Sequence, residues 1–208
     1  RGAVVAGNAC HAAAVAVRKK VLTLAGSVLK AAEEDLELVD GLVRVVGTGA
    51  SVSLGDLAAR ANPLRGAVTP GTEPGLEATA YFGPERGVTA SGVHAMTLEV
   101  DPDTAQIRIL RYVVVHDCGR VINPMIVEGQ IHGGVAHGIG NAFYEQLVFD
   151  EGAQLLNASF MDYLIPTAWE TPRFELGETV TPSPHHPFGA KGVGESATVG
   201  SPAAYVNA

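Results

Sequence analysis

The pattern of apolar and polar positions divides the first third of the chain into a long helix, a strand and a short helix. Small apolar residues recur from about 8 to 38 and predict one helix, although the acidic residues at its end favour a change to strand. The alternating residues 42–46 predict a strand bounded by glycines. Ser53 then stands where a helix over 54–60 needs an N-cap, because its hydroxyl can accept a hydrogen bond from a free backbone N–H.

The middle of the chain predicts a hairpin. Its strands lie near 92–100 and 105–116, joined by a short polar turn that contains Pro102. Residues 107–115 are almost continuously apolar, which predicts that the second strand is buried on both faces. Ahead of this hairpin, residues 61–75 are rich in proline and glycine and predict an irregular crossing.

A second long helix is predicted from Pro124, which suits a first helical turn, to about Leu147. Five glycines lie inside it, and each costs about 1 kcal/mol relative to alanine, so something must approach that backbone closely. Tight contact with another helix is one explanation, and a large flat cofactor against the bare backbone is the other. The glycines are Gly129, Gly133, Gly134, Gly138 and Gly140.

The last part of the chain combines a strand over 174–181, a loop shaped by three prolines, and a final helix that starts near 195–198. Between them runs Lys-Gly-Val-Gly-Glu at 191–195. Glycine lets a backbone approach a ligand closely, and a glutamate fixed against such a ligand is a candidate general base. A surface glycine turn with a solvated Glu195 is the alternative.

Together these elements predict an α+β fold, with a mixed sheet packed by the long alanine-rich and glycine-rich helices. An apolar content of 47% with 17% charged residues argues against disorder. We expect residues 1–208 to be a fragment of one domain, with possible subregions 1–75 and 76–208. Because residue 1 is arginine and the last helix has barely begun when the chain stops, we expect an excerpt from a longer polypeptide.

Composition excludes several classes of protein. The net charge of −8, with no basic stripe beyond 18–20, argues against nucleic-acid binding. No apolar stretch approaches the length of a membrane span, and the first residues lack the order of a signal peptide. Cys10 and Cys118 are too few to hold an iron–sulfur cluster or a disulfide framework, and favour a reducing cytoplasm.

Three familiar motifs are weakly supported. Residues 192–197 fit a relaxed dinucleotide fingerprint but follow a proline-rich loop instead of a strand. Ser196 lacks the G-x-S-x-G setting of a hydrolase nucleophile. His132 and His137 are five residues apart, which places them on different sides of a helix and disfavours a zinc site. These exclusions leave Glu195 with a ligand supplied from outside the chain.

Three ordered blocks carry a resemblance to a known family. The first spans 181–202 and contains Gly-Ala-Lys-Gly-Val-Gly-Glu-Ser, the second starts at 115–124 and continues through Glu-Gly-Gln and Gly-Ile-Gly, and the third is Asp-Tyr-Leu-Ile-Pro-Thr at 162–167. Together they resemble the large subunits of molybdenum hydroxylases, the xanthine oxidase and aerobic carbon monoxide dehydrogenase family. The first block leans toward the carbon monoxide dehydrogenase-like branch. The resemblance identifies the chain as the C-terminal, molybdopterin-binding portion of such a subunit.

The resemblance implies a molybdenum–molybdopterin cofactor, in the cytosine dinucleotide form, that needs no metal-ligating side chain here. Glu195 would be the catalytic base for hydroxylation, with water-derived oxygen, of an electrophilic carbon in carbon monoxide, an N-heterocycle, an aldehyde or a related compound. The glycines between Gln130 and Gly140 would then face the cofactor. His137 stands where many relatives have a glutamine. The implied cofactor-binding residues are Lys191, Gly192, Val193, Gly194, Gln130 and His137, together with Arg1, Gly2 and Ala3 as the tail of a loop before a helix starting at 7–9.

The resemblance also implies partners. The 2Fe-2S clusters and FAD would lie on other subunits or domains, the remainder of the large subunit would complete the pocket for a small-molecule substrate, and the chain alone would be inactive. The segment that would carry a copper-binding cysteine is absent, and Cys118 does not match it. The alternative is a catalytically silent assembly or scaffold module with the same fold, against which the presence of Glu195 argues.

Overall fold

The computed structural model describes residues 2–65 and 73–208, and the chain forms two compact units, one from residues 4–83 and one from 84–208. Each unit combines helices with a three-stranded sheet, so the α+β prediction is confirmed. Across the described residues, no helix combines the length and the apolar character that crossing a bilayer demands.

The N-terminal unit packs one long helix against a small antiparallel sheet in which each strand pairs with the next. Its core is a cluster of buried aliphatic side chains contributed by the helices and the sheet. The elements are α1 (Gly2–Leu29), β1 (Leu36–Val39), β2 (Leu42–Val45), β3 (Ser51–Ser53) and α2 (Leu54–Ala61).

The start and end of α1 differ from the prediction of a helix over 8–38. The helix begins at Gly2 and ends at Leu29, because Lys30 adopts a positive φ of 54° and the N–H of Ala31 donates back to the carbonyl of Gly26 at 3.2 Å. This is the hydrogen bond of a Schellman motif, in which the residue after the helix takes the left-handed conformation. The acidic residues that follow lie outside the helix, where they avoid the negative end of its dipole.

The short helix α2 begins as predicted. The N–H of Asp56 donates to Ser53 Oγ at 3.0 Å, so Ser53 is confirmed as the N-cap. Leu57, on the inner face of α2, is fully buried in the core of the unit.

The C-terminal unit carries a mixed sheet, in which the predicted hairpin is confirmed and a third strand pairs in parallel with its second strand. The two helices of this unit pack on each other, and their buried residues share one core with the sheet. The elements are β4 (Ser91–Val100), β5 (Ile107–Asp117), α3 (Pro124–Ile139), β6 (Phe174–Glu178) and α4 (Ser196–Asn207).

The prediction that β5 is buried on both faces is wrong for its first half. The pairing with β4 shifts between Thr97 and Leu98, so that Thr97 faces Arg111 and Leu98 faces Ile109, and Leu110 is the extra residue of a bulge. Leu110 remains 52% exposed. From Tyr112 onward, where β6 covers the second edge of the strand, buried residues alternate with the half-buried Val113 and Val115.

Helix α3 is shorter than predicted. Its regular part ends at Ile139, and a π-helical turn over Gly140–Tyr144 completes it, closed by a hydrogen bond of 2.7 Å from the N–H of Glu145 to the carbonyl of Gly140. The strand predicted over 174–181 likewise ends at Glu178, before the prolines.

Candidate functional site

Glu195 lies at the junction between the glycine loop and α4. It is the residue immediately before the first helical residue, with φ −128° and ψ −1°, and its side chain is exposed. Within the described part of residues 84–208, no side chain forms a hydrogen bond or an ion pair with its carboxylate. The carboxylate is therefore available to a ligand or to water.

Lys191, at the other end of this loop, points into the protein. Its ammonium lies 3.1 Å from Asp117 Oδ1, and the two side chains are only 12% and 9% exposed. The N–H of Lys191 also donates to the carbonyl of Cys118 at 2.6 Å. The ammonium of Lys191 thus holds the loop to the end of β5, and binding of the cofactor by Lys191 stays a prediction.

Asp117 gathers several donors at the end of β5. Its Oδ1 accepts hydrogen bonds from the N–H of Gly119 at 2.8 Å and from the N–H of Thr181 at 3.2 Å, and the hydroxyl of Thr179 lies 3.4 Å from Oδ2. Burial alone would raise the pKa of Asp117, but these hydrogen bonds and that from Lys191 outweigh it and hold the pKa far below its usual range. Asp117 is an ionised anchor for three segments of backbone.

Two glycines make the close approach of these segments possible. Gly119 and Gly189 both have positive φ, and a Cβ on Gly119 would collide with the carbonyl oxygen of Gly189. The same carbonyl accepts hydrogen bonds from Arg120 at 3.0 Å and Ser183 at 2.9 Å. Proline-rich residues 182–187 are thus tied to the segment after β5, and the loop before Lys191 is fixed in shape.

His116 and Ser196 form the second tie between β5 and the loop. Nε2 of His116 lies 2.6 Å from Oγ of Ser196, and that hydroxyl lies 3.3 Å from the carbonyl oxygen of Val193. Sequence reasoning missed this pair, since Ser196 was considered only as a nucleophile and no local pattern pointed to His116. The pairing of β4 with β5 aligns His116 with Gly92, whose missing side chain makes room for the imidazole.

Gln130 lies beside the glycine loop. Its Oε1 is 3.6 Å from the position that a Cβ on Gly194 would take. Gln130, Gly133 and His137 are all exposed on α3, and their spacing of three and four residues places them on one face of the helix. The structure therefore brings together two of the predicted α3 residues and the end of the loop.

The glycines of α3 divide into two groups. Cβ atoms on Gly134 and Gly138 would press on Ala197 and Ser201 of α4, so these glycines serve helix–helix contact. The expectation that they face a cofactor is wrong, because α4 already occupies that side. Cβ atoms on Gly129 and Gly133 would meet nothing within 4 Å.

Exposed glycine backbone lies next to Glu195 in the loop. A Cβ on Gly192 would also meet nothing within 4 Å, and Gly194 is exposed. The backbone of Gly192 and Gly194 and the neighbouring side chain of Gln130 offer hydrogen bonds to an extended, oxygen-rich and nitrogen-rich ligand, and His137 is exposed on the same face of α3 as Gln130. The residues present therefore fit a pterin-type cofactor.

The other residues predicted to bind the cofactor are Val193, Arg1, Gly2 and Ala3. Val193 directs its side chain onto the core that contains Tyr112, so only its backbone belongs to the exposed loop. Arg1 lies outside the described residues. Gly2 and Ala3 form the first turn of α1, so the predicted loop before a helix starting at 7–9 is wrong from Gly2 onward.

Comparison with known proteins gives the family. The molybdopterin cofactor-binding domain family matches residues 1–172. The nicotine 6-hydroxylase large subunit of Paenarthrobacter nicotinovorans is 42% identical over 100% of this chain and 26% of its own length. The carbon monoxide dehydrogenase large chain of Hydrogenophaga pseudoflava is 41% identical over 97% of this chain and 25% of its own length.

A solved structure agrees with these relatives. Quinoline 2-oxidoreductase from Pseudomonas putida 86 is 43% identical and superposes with a TM-score of 0.85, covering 100% of this chain and 27% of that one. The chain thus spans about a quarter of the length of the proteins it matches. Since the family match extends over residues 1–172 of 208, the chain belongs to the molybdopterin cofactor-binding domain family.

Proposed function

We propose that this chain is part of a molybdenum hydroxylase large subunit, in which it binds molybdopterin and supplies Glu195 as the base. The observation that carries the proposal is the position of Glu195. Its carboxylate is exposed and unpaired in the described structure, beside bare glycine backbone, on a loop whose two ends are tied to β5. A surface carboxylate with no role would need neither the ties nor the bare backbone.

Some residues of the chain would bind the cofactor, and Glu195 would accept a proton. The backbone of Gly192 and Gly194, with the side chains of Gln130 and His137, would hold one edge of the cofactor. When bound, the molybdenum that molybdopterin holds would supply the two-electron redox chemistry of the hydroxylation. The carboxylate of Glu195 would accept the proton that is lost from water as its oxygen is transferred to an electrophilic carbon, which requires it to be ionised when substrate binds.

The substrate class follows from the relatives, whose names include nicotine, quinoline and carbon monoxide. We propose a small molecule with an electrophilic carbon, either an N-heterocycle, an aldehyde or carbon monoxide. The cofactor would be the cytosine dinucleotide form, and electrons would leave through 2Fe-2S and FAD subunits in the cytoplasm. The relatives described as a large subunit, a large chain and a subunit gamma support a complex of several chains.

The test uses the full-length parent purified with its neighbouring subunits. We expect about one molybdenum per large subunit and release of cytidine monophosphate on acid hydrolysis. With a dye as electron acceptor, one of nicotine, quinoline, benzaldehyde or carbon monoxide should be oxidised. Glu195→Gln should retain molybdenum and lose at least about 100-fold in kcat, since general-base catalysis is worth about that much.

Two results would contradict this proposal. Full activity of Glu195→Gln would remove the base from the mechanism. No molybdenum in a host that loads a related enzyme would favour the silent scaffold module instead. Asp150→Asn is the matched control, because Asp150 is an exposed carboxylate of a turn that holds only its own backbone.

A further inference from the structure

The last two residues of β5 hold the two ends of the glycine loop. Asp117 binds the ammonium of Lys191 at the beginning of the loop, and His116 binds the hydroxyl of Ser196 at its end. Ser196 directly follows Glu195 in the chain and is the first residue of α4. The tie made by His116 is therefore the closer of the two to the proposed base.

The direction of the hydrogen bonds in this second tie follows from the acceptors. The carbonyl of Val193 can only accept, so the hydroxyl of Ser196 donates to it across 3.3 Å. That hydroxyl has a single proton, and it must therefore accept from Nε2–H of His116 at 2.6 Å. The neutral imidazole then carries its proton on Nε2, and Nδ1 is unprotonated.

The surroundings keep this imidazole neutral. His116 is 3% exposed, and its Nδ1 has no hydrogen-bond partner among the described residues. Burial lowers the pKa of His116, which outweighs the opposite effect of the neighbouring Asp117. His94 lies on the paired strand β4, and its own pKa is lowered by burial and by His116. A proton on Nδ1 would have no acceptor there.

Glu195 depends on its neighbours for its position. It stands at the N-terminus of α4 without a side-chain capping bond, and Gly192 and Gly194 leave the preceding backbone free to change conformation. The chain from His116 through Ser196 to the carbonyl of Val193 closes this flexible segment into a turn. Without it, the carboxylate could move relative to the surface beside it while the helix stayed folded.

We propose that His116 is a positioning residue for Glu195, acting through the hydroxyl of Ser196 and the carbonyl of Val193. The proposal rests on the proposed function of Glu195 as the base. It assigns a role to a neutral, buried histidine that itself touches neither the exposed surface nor Glu195. A displacement of about 1 Å at a reacting group can lower a rate by up to about 100-fold, so this tie affects catalysis without contributing to binding.

The experiment uses the full-length parent with its subunits and two matched pairs of variants. Ser196→Val removes the hydroxyl, and Ser196→Thr retains it at the same volume as valine. His116→Phe removes the donor, and His116→Gln retains an N–H donor. Each variant is measured for molybdenum content, for hydrogen–deuterium exchange of the peptide covering 191–197, and for kcat and KM with the substrate of the panel that the parent oxidises fastest.

We expect Ser196→Val and His116→Phe to exchange about fivefold faster in this peptide, since each removes one hydrogen bond, and to lose about tenfold in kcat with little change in KM. Molybdenum content should be unchanged. The two conservative variants should keep most of kcat. The double variant that combines Ser196→Val with His116→Phe should be no slower than either single one, because both remove the same tie.

Additive losses in the double variant, or loss of molybdenum from the single ones, would overturn the proposal in favour of a general structural role. Unchanged exchange and kcat would overturn it as well. Glu195→Gln in the same assay distinguishes a failure of the positioning role of His116 from a failure of the role of Glu195 as the base. If Glu195→Gln is inactive while the His116 and Ser196 variants are unaffected, the positioning role fails and the base remains. If Glu195→Gln is active, Glu195 is not the base, and the positioning role of His116 fails as well.

Discussion

The ammonium of Lys191 lies 3.1 Å from Oδ1 of Asp117, and this buried ion pair fixes the beginning of the glycine loop to the end of β5. Removing only one partner of a buried pair leaves an uncompensated charge. Lys191→Met should therefore destabilise the C-terminal unit by about 2 kcal/mol, a value below the usual range because Asp117 keeps its hydrogen bonds from Thr181 and Gly119. The melting temperature of the full-length parent should fall accordingly.

The double variant Lys191→Met with Asp117→Asn is the control for this first prediction. It removes both charges and leaves a neutral amide, so it should be more stable than Lys191→Met alone. If the double variant is less stable by the sum of the two single effects, the ion pair is not the interaction that matters.

The acid side of the stability curve should report on Asp117. Its pKa is lower in the folded protein than in the unfolded chain, so the carboxylate contributes stability that is fully present above about pH 5 and is lost progressively as the pH falls below about 4, toward the folded pKa. Chemical denaturation of the parent and of Asp117→Asn at a series of pH values measures this. The advantage of the parent over the variant should be constant between about pH 5 and 7 and should shrink below about pH 4. A constant difference down to about pH 3 would contradict the prediction.

The glycines of α3 offer a matched pair of substitutions. Gly138→Ala should destabilise the unit by about 2 kcal/mol, because its Cβ would overlap the side chain of Ser201. Gly133→Ala should stabilise the helix by up to about 1 kcal/mol, because its Cβ meets nothing within 4 Å and alanine is the better helix former. Thermal melting of both variants checks the two signs.

The same pair separates folding from cofactor binding. If the exposed face of α3 lies against molybdopterin, Gly133→Ala should lower the molybdenum content even though it raises the melting temperature. A gain in stability with full molybdenum content would place the cofactor away from Gly133.

The elements of this fold were largely predictable, because local signals decide them. The hairpin of β4 and β5 and the capping of α2 by Ser53 follow from alternation and from one hydroxyl, and the structure shows both. The length of α1 was not predictable in this way. Nothing in its composition shows that Lys30 takes a positive φ, which ends the helix.

The candidate site was predictable only in part, since its contacts join residues far apart in the chain. Gly192 could be predicted as a cofactor-binding residue, and Glu195 as the base, from the sequence block that contains them. The partners of Lys191 and Ser196 lie 74 and 80 residues away on β5, so no local pattern could reveal them. The five glycines between 129 and 140 could not be told apart in the sequence, and only the position of α4 distinguishes Gly138 from Gly133.

His137 provides the last prediction, because it is exposed on the same face of α3 as Gln130. If it holds the edge of the cofactor through a hydrogen bond, His137→Gln should keep the interaction, since an amide can donate and accept as imidazole does. His137→Leu cannot, and should weaken retention of the cofactor about fivefold, the effect of one hydrogen bond. Molybdenum content after extended gel filtration of the full-length parent compares the two variants. Equal retention would show that His137 makes no such bond, whereas equal loss would mean that the imidazole is needed for its shape, which an amide does not reproduce.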